Sequence, residues 1–300
     1  MTTCGYIALI GEPNAGKSTL MNALVGAKLA IVTHKVQTTR TRIRGIALEG
    51  DAQMIFVDTP GLFKPRRGLD RAMVSAAWSG ADEADVIGLL IEANRGLTAG
   101  VKEIIVRLKD RNPKSHIVLL INKIDKVKAE ALLALSQKMN EAFPFKETYM
   151  ISAENGHGLA KLRADFAAQM PEGPWLYPDD QIADMPLRMI AAEITREKLM
   201  LRLHEELPYQ LTVENEKWED RKDGSVRIDQ LIYVARDGHK GIILGKGGET
   251  IKAVSQASRK EIGEFLGMTV HLFLQIKVDP KWLDSSERYE NMGLDIKNSK

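Results

Sequence analysis

Short, almost unbroken apolar runs punctuate the first half of the chain. YIALI (6–10), QMIFVD (53–58), VIGLLI (86–91), HIVLLI (116–121) and TYMIS (148–152) read as strands, with helix-period segments such as Lys102 to Lys109 between most of them. Apolar strands alternating with helices predict a mostly parallel sheet covered on both faces, an α/β domain. The pattern breaks over PEGPWLYPDDQIADMP (171–186), which holds four of the eleven prolines. Proline fixes φ and removes a donor, so neither period continues there and an interdomain linker is expected. Beyond it the order changes. MIAAEITREKLMLRLHEEL (189–207) has helical spacing, YQLTVENEKWED (209–220) and VRIDQLIYVAR (226–236) alternate around an RKDG turn, and HKGIIL reads as a short helix. A longer helix (249–266) and an alternating strand, VHLFLQIKV (270–278), complete an α-β-β-α-α-β order, an α+β domain. The expected division is a first domain at 1–170, a linker at 171–186, and a second domain with a C-terminal tail at 187–300.

A length of 300 residues fits two ordinary domains. The net charge is only +2, with 23 Lys+Arg against 20 Asp+Glu in residues 1–180 and 19 against 20 in the remainder. No chain-wide basic character announces nucleic acid, so any such surface must come from local clustering. Cys4 is the only cysteine, which excludes an intrachain disulfide and suits a reducing compartment. The first residues lack the basic and apolar regions of a secretory leader. Runs such as IVLLI (117–121) fall far short of the ~20 residues that span a bilayer. A soluble cytoplasmic protein is expected.

GEPNAGKS (11–18) follows the first predicted strand and opens a helical pattern, the setting that a phosphate loop requires. Glycine lets backbone N–H groups converge on phosphates at a helix N-terminus. Lys17 adds charge beside the β- and γ-phosphates, and the Ser18 hydroxyl is suited to hold Mg²⁺. The loop alone leaves ATP and GTP open. DTPG (58–61) ends a predicted strand, where Asp58 can reach Mg²⁺ through water and Gly61 lets its N–H approach a γ-phosphate. NKID (122–125) selects the base. Asp125 can accept both donors on guanine's edge, whereas adenine offers no such pair and would leave the carboxylate unpaired, at about 1–3 kcal/mol. Asn122 is expected to brace neighbouring loops, and the Lys123 stem to lie along the base. In SAEN (152–155) an N–H near Ala153 can meet guanine O6, flanked by Ser152 and Glu154. The expected contact set thus comprises Gly11, Glu12, Pro13, Asn14, Ala15, Gly16, Lys17, Ser18 and Thr19, then Asp58, Thr59, Pro60 and Gly61, then Asn122, Lys123, Asp125, Ser152, Ala153 and Glu154.

A second glycine loop, GKGG (245–248), lacks the four-residue span of the first and has no Ser or Thr after its lysine. Its surroundings are locally basic: Arg236, Lys240, Lys246, Lys252, Arg259 and Lys260 face only Asp237 and Glu249 in that stretch. Gly245, Gly247 and Gly248 would let a sugar-phosphate backbone approach closely, while Ile242, Ile243, Ile251 and Val254 divide between core and groove.

The order GEPNAGKS, QTTR, DTPG, NKID, SAEN resembles the translation-factor-like branch of the Ras-type GTPases. That resemblance implies that a threonine of QTTR (37–40) ligates Mg²⁺ when GTP is bound, Thr39 in preference to Thr38. It also exposes a departure: Leu62 stands where Ras-like proteins carry a water-orienting glutamine. In related GTPases with this form of phosphate loop, the residue matching Asn14 helps to hold K⁺, so K⁺-stimulated hydrolysis is implied, with Lys17, Thr39, Gly61 and Asn14 as the catalytic set. Arg40 is a further source of charge. The α-β-β-α-α-β order with G-x-x-G between its middle helices resembles a type II KH domain, which clamps about four nucleotides of a single strand. Lys240, Gly245, Lys246, Gly247, Gly248, Lys252 and Arg259 would be its RNA contacts.

A GTPase domain joined to a type II KH domain, with EITREKLMLRLHEELPY (193–209) at the junction, resembles the Era family across nearly the whole chain. The family implies GTP/GDP and Mg²⁺ as cofactors, binding to 16S ribosomal RNA near its 3′ end, and assistance in small (30S) subunit maturation. A cytoplasmic monomer is expected, any membrane association being peripheral, at the inner face of the cell membrane. The competing classes are a membrane-associated or cell-cycle signalling GTPase whose C-terminal domain binds a protein or another RNA, and a DNA- or mRNA-binding regulator.

Overall fold

A computed structural model describes residues 1–35, 38–40, 43–65, 68–111, 113–282, 288 and 294. The apolar runs of the first half become strands because both faces of each are covered. They are β1 (Thr3–Gly11), β3 (Ala52–Asp58), β4 (Val86–Glu92), β5 (His116–Asn122) and the short β6 (Thr148–Met150), joined by one strand that the runs do not reveal, β2 (Ile43–Glu49). The sheet order is β2-β3-β1-β4-β5-β6, with only β2 antiparallel to its neighbour. Helices α1 (Lys17–Val25), α2 (Gly68–Asp82), α3 (Ala99–Arg111), α4 (Ala129–Ala142) and α5 (Leu159–Ala168) connect and cover these strands. On one side Ile10, Leu89, Leu119, Trp78, Ile104 and Met139 share a core. Because β1, β3, β4 and β5 run in parallel, their carboxyl ends at Gly11, Asp58, Glu92 and Asn122 lie along one edge, where ligand loops of such sheets gather.

The chain divides into two compact units in a way that differs from the sequence-based boundaries. Among the described residues, the first unit holds Met1–Ala30, Thr39–Asp184 and Leu294, and the second holds Ile31–Thr38 and Met185–Arg288. Thus Ile31–Thr38 leaves the expected first domain, and most of the expected linker joins it. The proline-rich stretch interrupts secondary structure yet finds backbone partners in the first unit. Cys4 N–H donates to Pro171 O at 3.0 Å, Ile46 N–H to Ile182 O at 2.9 Å, and Asp184 N–H to Arg44 O at 3.0 Å. The fully buried Gln53 donates through Nε2 to Tyr177 O at 2.8 Å, and its Oε1 accepts from the N–H groups of Leu176 and Tyr177 at 2.9 and 3.0 Å.

The second unit contains α6 (Leu187–Arg202), β7 (Leu211–Asp220), β8 (Val226–Val234), α7 (Asp237–Leu244), α8 (Glu249–Leu266) and β9 (Val270–Val278). β8 pairs antiparallel with β7 and parallel with β9. Val213, Ile232 and Val234 of this sheet meet Leu199, Ile243 and Val254 of the helices. α6 stops five residues before the expected end at 207, where Leu207–Tyr209 form a 3-10 turn containing Pro208. On the outer sheet face Leu231 and Tyr233 cover Trp282; the expected tail beyond it lies outside the described residues except for Arg288 and Leu294.

Replacing Gln53 by Ala removes three hydrogen bonds that tether 176–177 and is expected to lower the stability of the first unit by about 1–3 kcal/mol. Urea denaturation measures that loss, and limited proteolysis should show faster cleavage within 171–184.

Candidate functional site

β1 delivers the chain to Gly11, and residues 12–16 turn it into α1. Two residues of the turn take positive φ, Asn14 at 66° and Gly16 at 101°. A Cβ on Gly16 would fall 2.3 Å from Asn122 Nδ2, so both its conformation and its neighbour require glycine. Gly16 caps α1 with no side-chain hydrogen bond, leaving the helix N-terminus as a donor site for an anion. Lys17 is buried beneath this turn, and its ammonium donates to the carbonyls of Gly11 and Glu12 at 3.1 and 3.0 Å. Burial pushes its pKa down to about 8, against the attraction of Asp58 and Glu12. A phosphate beside it would favour the charged form.

Three oxygen-bearing side chains meet beside that lysine. Ser18 Oγ donates to Asp58 Oδ2 at 2.7 Å and lies 2.8 Å from Thr39 Oγ1, which itself lies 3.3 Å from Asp58 Oδ2. Asp58 is fully buried, which raises its pKa, opposed by Ser18, Lys17 and Thr39. Its other oxygen, Oδ1, is buried with no hydrogen-bond partner among the described residues. Two hydroxyls and a carboxylate with an orphaned oxygen suit a hard, hydrated cation such as Mg²⁺. Thr38 is not brought into this cluster: its hydroxyl lies 2.6 Å from Thr33 Oγ1 and donates to Lys35 O at 2.7 Å. Gln37 of QTTR lies outside the described residues, and Arg40 is buried.

The DTPG turn is pressed against the phosphate loop. A Cβ on Gly61 would lie 2.8 Å from Pro13, and Leu62 N–H donates to Gly11 O at 2.9 Å. Thr59 uses its hydroxyl on Leu9 O at 2.7 Å, and Pro60 is buried, so both shape the turn. Leu62 points into the core with Val74 and Trp78.

On the base side, the buried Asn122 donates from Nδ2 to Ala15 O at 2.9 Å and accepts from Ala153 N–H at 3.0 Å, joining three loops. Lys123 donates to Asn14 O and Glu92 Oε2, both at 2.7 Å, which stretches its stem along the loop. Asp125 accepts from Ser152 Oγ at 2.6 Å, a bond that lowers its pKa, and is otherwise open to solvent. Glu154 is exposed at the rim. Sequence reasoning missed Glu92, which pairs in register with Asn122 at the sheet's carboxyl edge; that shared register is the signal that points to it. It also missed the Thr98 hydroxyl, which holds Glu12 Oε2 at 2.7 Å.

In the second unit, GKGG forms a tight turn between α7 and α8. Gly245 has φ 72°, and a Cβ there would meet Thr250 Oγ1 at 2.3 Å; Gly247 and Gly248 also take positive φ, with open space around them. Lys246 lies in this turn, with Lys240 on α7 and Lys252 in the first turn of α8; all three are exposed, as are Arg236, Arg259 and Lys260 farther along the chain. Ile243 and Val254 belong to the core, whereas Ile242 and Leu244 are exposed beside the glycines.

Comparison with known proteins matches residues 6–123 to a family described as a 50S ribosome-binding GTPase and residues 206–283 to the KH domain. GTPase Era of Dinoroseobacter shibae is 68% identical over 298 residues, covering 99% of this chain and 97% of that protein. GTPase Era of Brucella suis is 58% identical over 295 residues, covering 98% and 94%. Among solved structures, Era in complex with MgGDPNP and nucleotides 1506–1542 of 16S ribosomal RNA has a TM-score of 0.92 at 36% identity, covering 98% of this chain and 99% of that one. A variant of Aquifex aeolicus Era bound to GDP and AlF4⁻ has the same TM-score and identity, covering 97% and 99%. With a GTPase domain, a KH domain and close relatives over almost its full length, the chain belongs to the Era family of GTPases.

Proposed function

We propose that this GTPase uses Mg²⁺–GTP as a switch that controls a single-strand clamp for 16S ribosomal RNA near its 3′ end, and so assists maturation of the small ribosomal subunit. The observation that carries the reading is the pairing of a complete guanine-nucleotide site with an exposed, basic GKGG turn on a KH fold. The RNA assignment draws support from the related Era structure bound to nucleotides 1506–1542 of 16S ribosomal RNA. The reading is of a cytoplasmic monomer with any membrane association peripheral. No helix among the described residues is long and apolar enough to cross a membrane.

In this mechanism the N–H groups at the start of α1 and the Lys17 ammonium hold the β- and γ-phosphates. Ser18 and Thr39 would hold Mg²⁺ directly and Asp58 would hold it through water; bound there, the ion would supply positive charge beside the phosphates. Asp125 accepts the guanine donors, while Ala153 N–H serves O6. Gly61 offers its N–H to the γ-phosphate. Leu62, turned into the core, neither orients water nor donates a hydrogen bond, so charge near Asn14 has to supply what the side chain lacks. GTP favours the ordered loops and RNA binding, and by linkage RNA favours the GTP state equally.

Asp125→Asn should lower GTP affinity by about tenfold or more and raise affinity for xanthosine triphosphate, whose 2-oxo group accepts from the new amide. Competition binding with the two nucleotides measures the exchange. Hydrolysis should run faster in KCl than in NaCl at equal ionic strength, and Asn14→Asp should erase that difference; equal wild-type turnover in both salts excludes the K⁺ role.

Gly247→Asp places a negative charge where an added Cβ meets nothing within 4 Å. Asp tolerates this φ, so the fold should survive while affinity for a 3′-terminal 16S fragment falls at least about tenfold through like-charge repulsion. For three to four phosphate contacts, log K should fall with log salt at a slope of roughly −2 to −3. A C-terminal domain that binds protein instead would show neither effect.

A further inference from the structure

The carboxyl end of β4 carries a charge that none of the nucleotide motifs accounts for. Glu92 ends the strand in register with Asn122, and its backbone is held independently of its side chain. The Glu92 carbonyl accepts from Arg95 and Gly96 N–H at 3.1 and 2.9 Å, and Ala93 N–H donates to Asn122 O at 2.8 Å. These bonds shape the turn without the carboxylate, which is committed elsewhere. Its Oε2 accepts from the Lys123 ammonium at 2.7 Å, and its Oε1 from Arg95 Nη1 at 3.2 Å. The other arm of Arg95 lies 3.8 Å from Glu12 Oε2, which also accepts from the Thr98 hydroxyl at 2.7 Å.

Lys123 is held at both ends. Its backbone stands at φ 63°, a left-handed conformation that a residue with a Cβ adopts only at a cost. Lys126 N–H donates to the Lys123 carbonyl at 3.0 Å, and Ile124 N–H donates to Ile151 O at 3.3 Å, which keeps the turn in place. At the far end the ammonium donates to Asn14 O on the phosphate loop and to Glu92 at the end of β4, both at 2.7 Å. The Lys123 and Glu92 side chains are only 23% and 11% exposed, so solvent screens their attraction less than at an open surface.

A free lysine stem samples many rotamers, and fixing it costs much of that freedom. Two acceptors on separate elements impose this order in the folded protein, before any nucleotide arrives. With Glu92 removed, a single neutral carbonyl would be left to hold the ammonium. We propose that Glu92 is a positioning residue for the guanine nucleotide, keeping the Lys123 stem extended between β4 and the phosphate loop so that it lies along the base. This rests on the reading of Lys123 as a base contact.

The test measures release rates of GDP and of a non-hydrolysable GTP analogue from the full chain, with thermal melting as a control for folding. The variants are Glu92→Ala, Glu92→Gln, Lys123→Met and the double substitution of Glu92→Ala with Lys123→Met. Glu92→Ala should speed release of both nucleotides about tenfold and by the same factor, because the base is common to them. Glu92→Gln should recover part of the loss, since an amide oxygen still accepts from the ammonium without the charge; it carries the comparison if Glu92→Ala fails to fold. In the Lys123→Met background, Glu92→Ala should add less than about twofold, because the group through which Glu92 acts is gone. Release within about twofold of the unsubstituted chain for both Glu92 variants overturns the proposal. So does a Glu92→Ala effect that persists in full without Lys123, which marks a role in the fold alone. If Lys123→Met leaves release unchanged, the reading of Lys123 as a base contact fails and the proposal fails with it.

Discussion

One buried amide holds the nucleotide end together. Asn122 reaches back to the carbonyl of Ala15 and forward to the N–H of Ala153, so the phosphate loop, the NKID turn and the SAEN turn share a single rigid post. Each of these bonds lies where water is excluded, and losing either would leave a buried backbone group unpaired at about 1–3 kcal/mol. The close fit also explains Gly16, because any side chain there would collide with the Asn122 amide. The parallel sheet makes this possible by ending its strands along one edge, so that residues distant in sequence meet at hydrogen-bond distance.

The two glycine loops apply the same physics to different ends. In both, positive φ at glycine bends the backbone sharply beside a lysine, a setting in which backbone N–H groups can converge on phosphate. At Gly16 the bend leads into α1, with Ser18, Thr39 and Asp58 close behind, so divalent charge can be added to that of Lys17. At Gly245 the bend joins two helices, and Lys246 is solvated there, with Lys252 and Glu249 exposed at the start of α8. The first arrangement encloses a compact polyphosphate. The second leaves open space around Gly247 and Gly248.

The strands and motifs were legible where one periodicity or one chemistry dominated. VHLFLQIKV alternates cleanly and forms β9 over the expected residues, and helix 249–266 ends where it was read. β2 was hidden because Gly45 interrupts IRGIALE; Val25 stands 2.8 Å from where its Cβ would be, a packing demand that no periodicity encodes. The docking of 171–184 was hidden for a related reason: proline forbids regular structure but does not forbid backbone hydrogen bonds to Gln53 or Ile46. The position of Ile31–Thr38 depends on Arg196 and Glu197, more than 150 residues away in sequence, as the 158-residue separation of Arg196 and Thr38 illustrates. Likewise QTTR offered two threonines of identical chemistry, and only the tertiary geometry separates Thr39, beside Ser18, from Thr38, beside Thr33.

Leu62 shows how packing and chemistry divide the labour at the DTPG turn. Its N–H is tied to Gly11 O and its side chain is buried with Val74 and Trp78, so the residue anchors the turn against the core. A glutamine in the same orientation would bury an amide with no partner among these apolar side chains, at a cost of about 1–3 kcal/mol. The anchor is therefore incompatible with a water-orienting amide in that position.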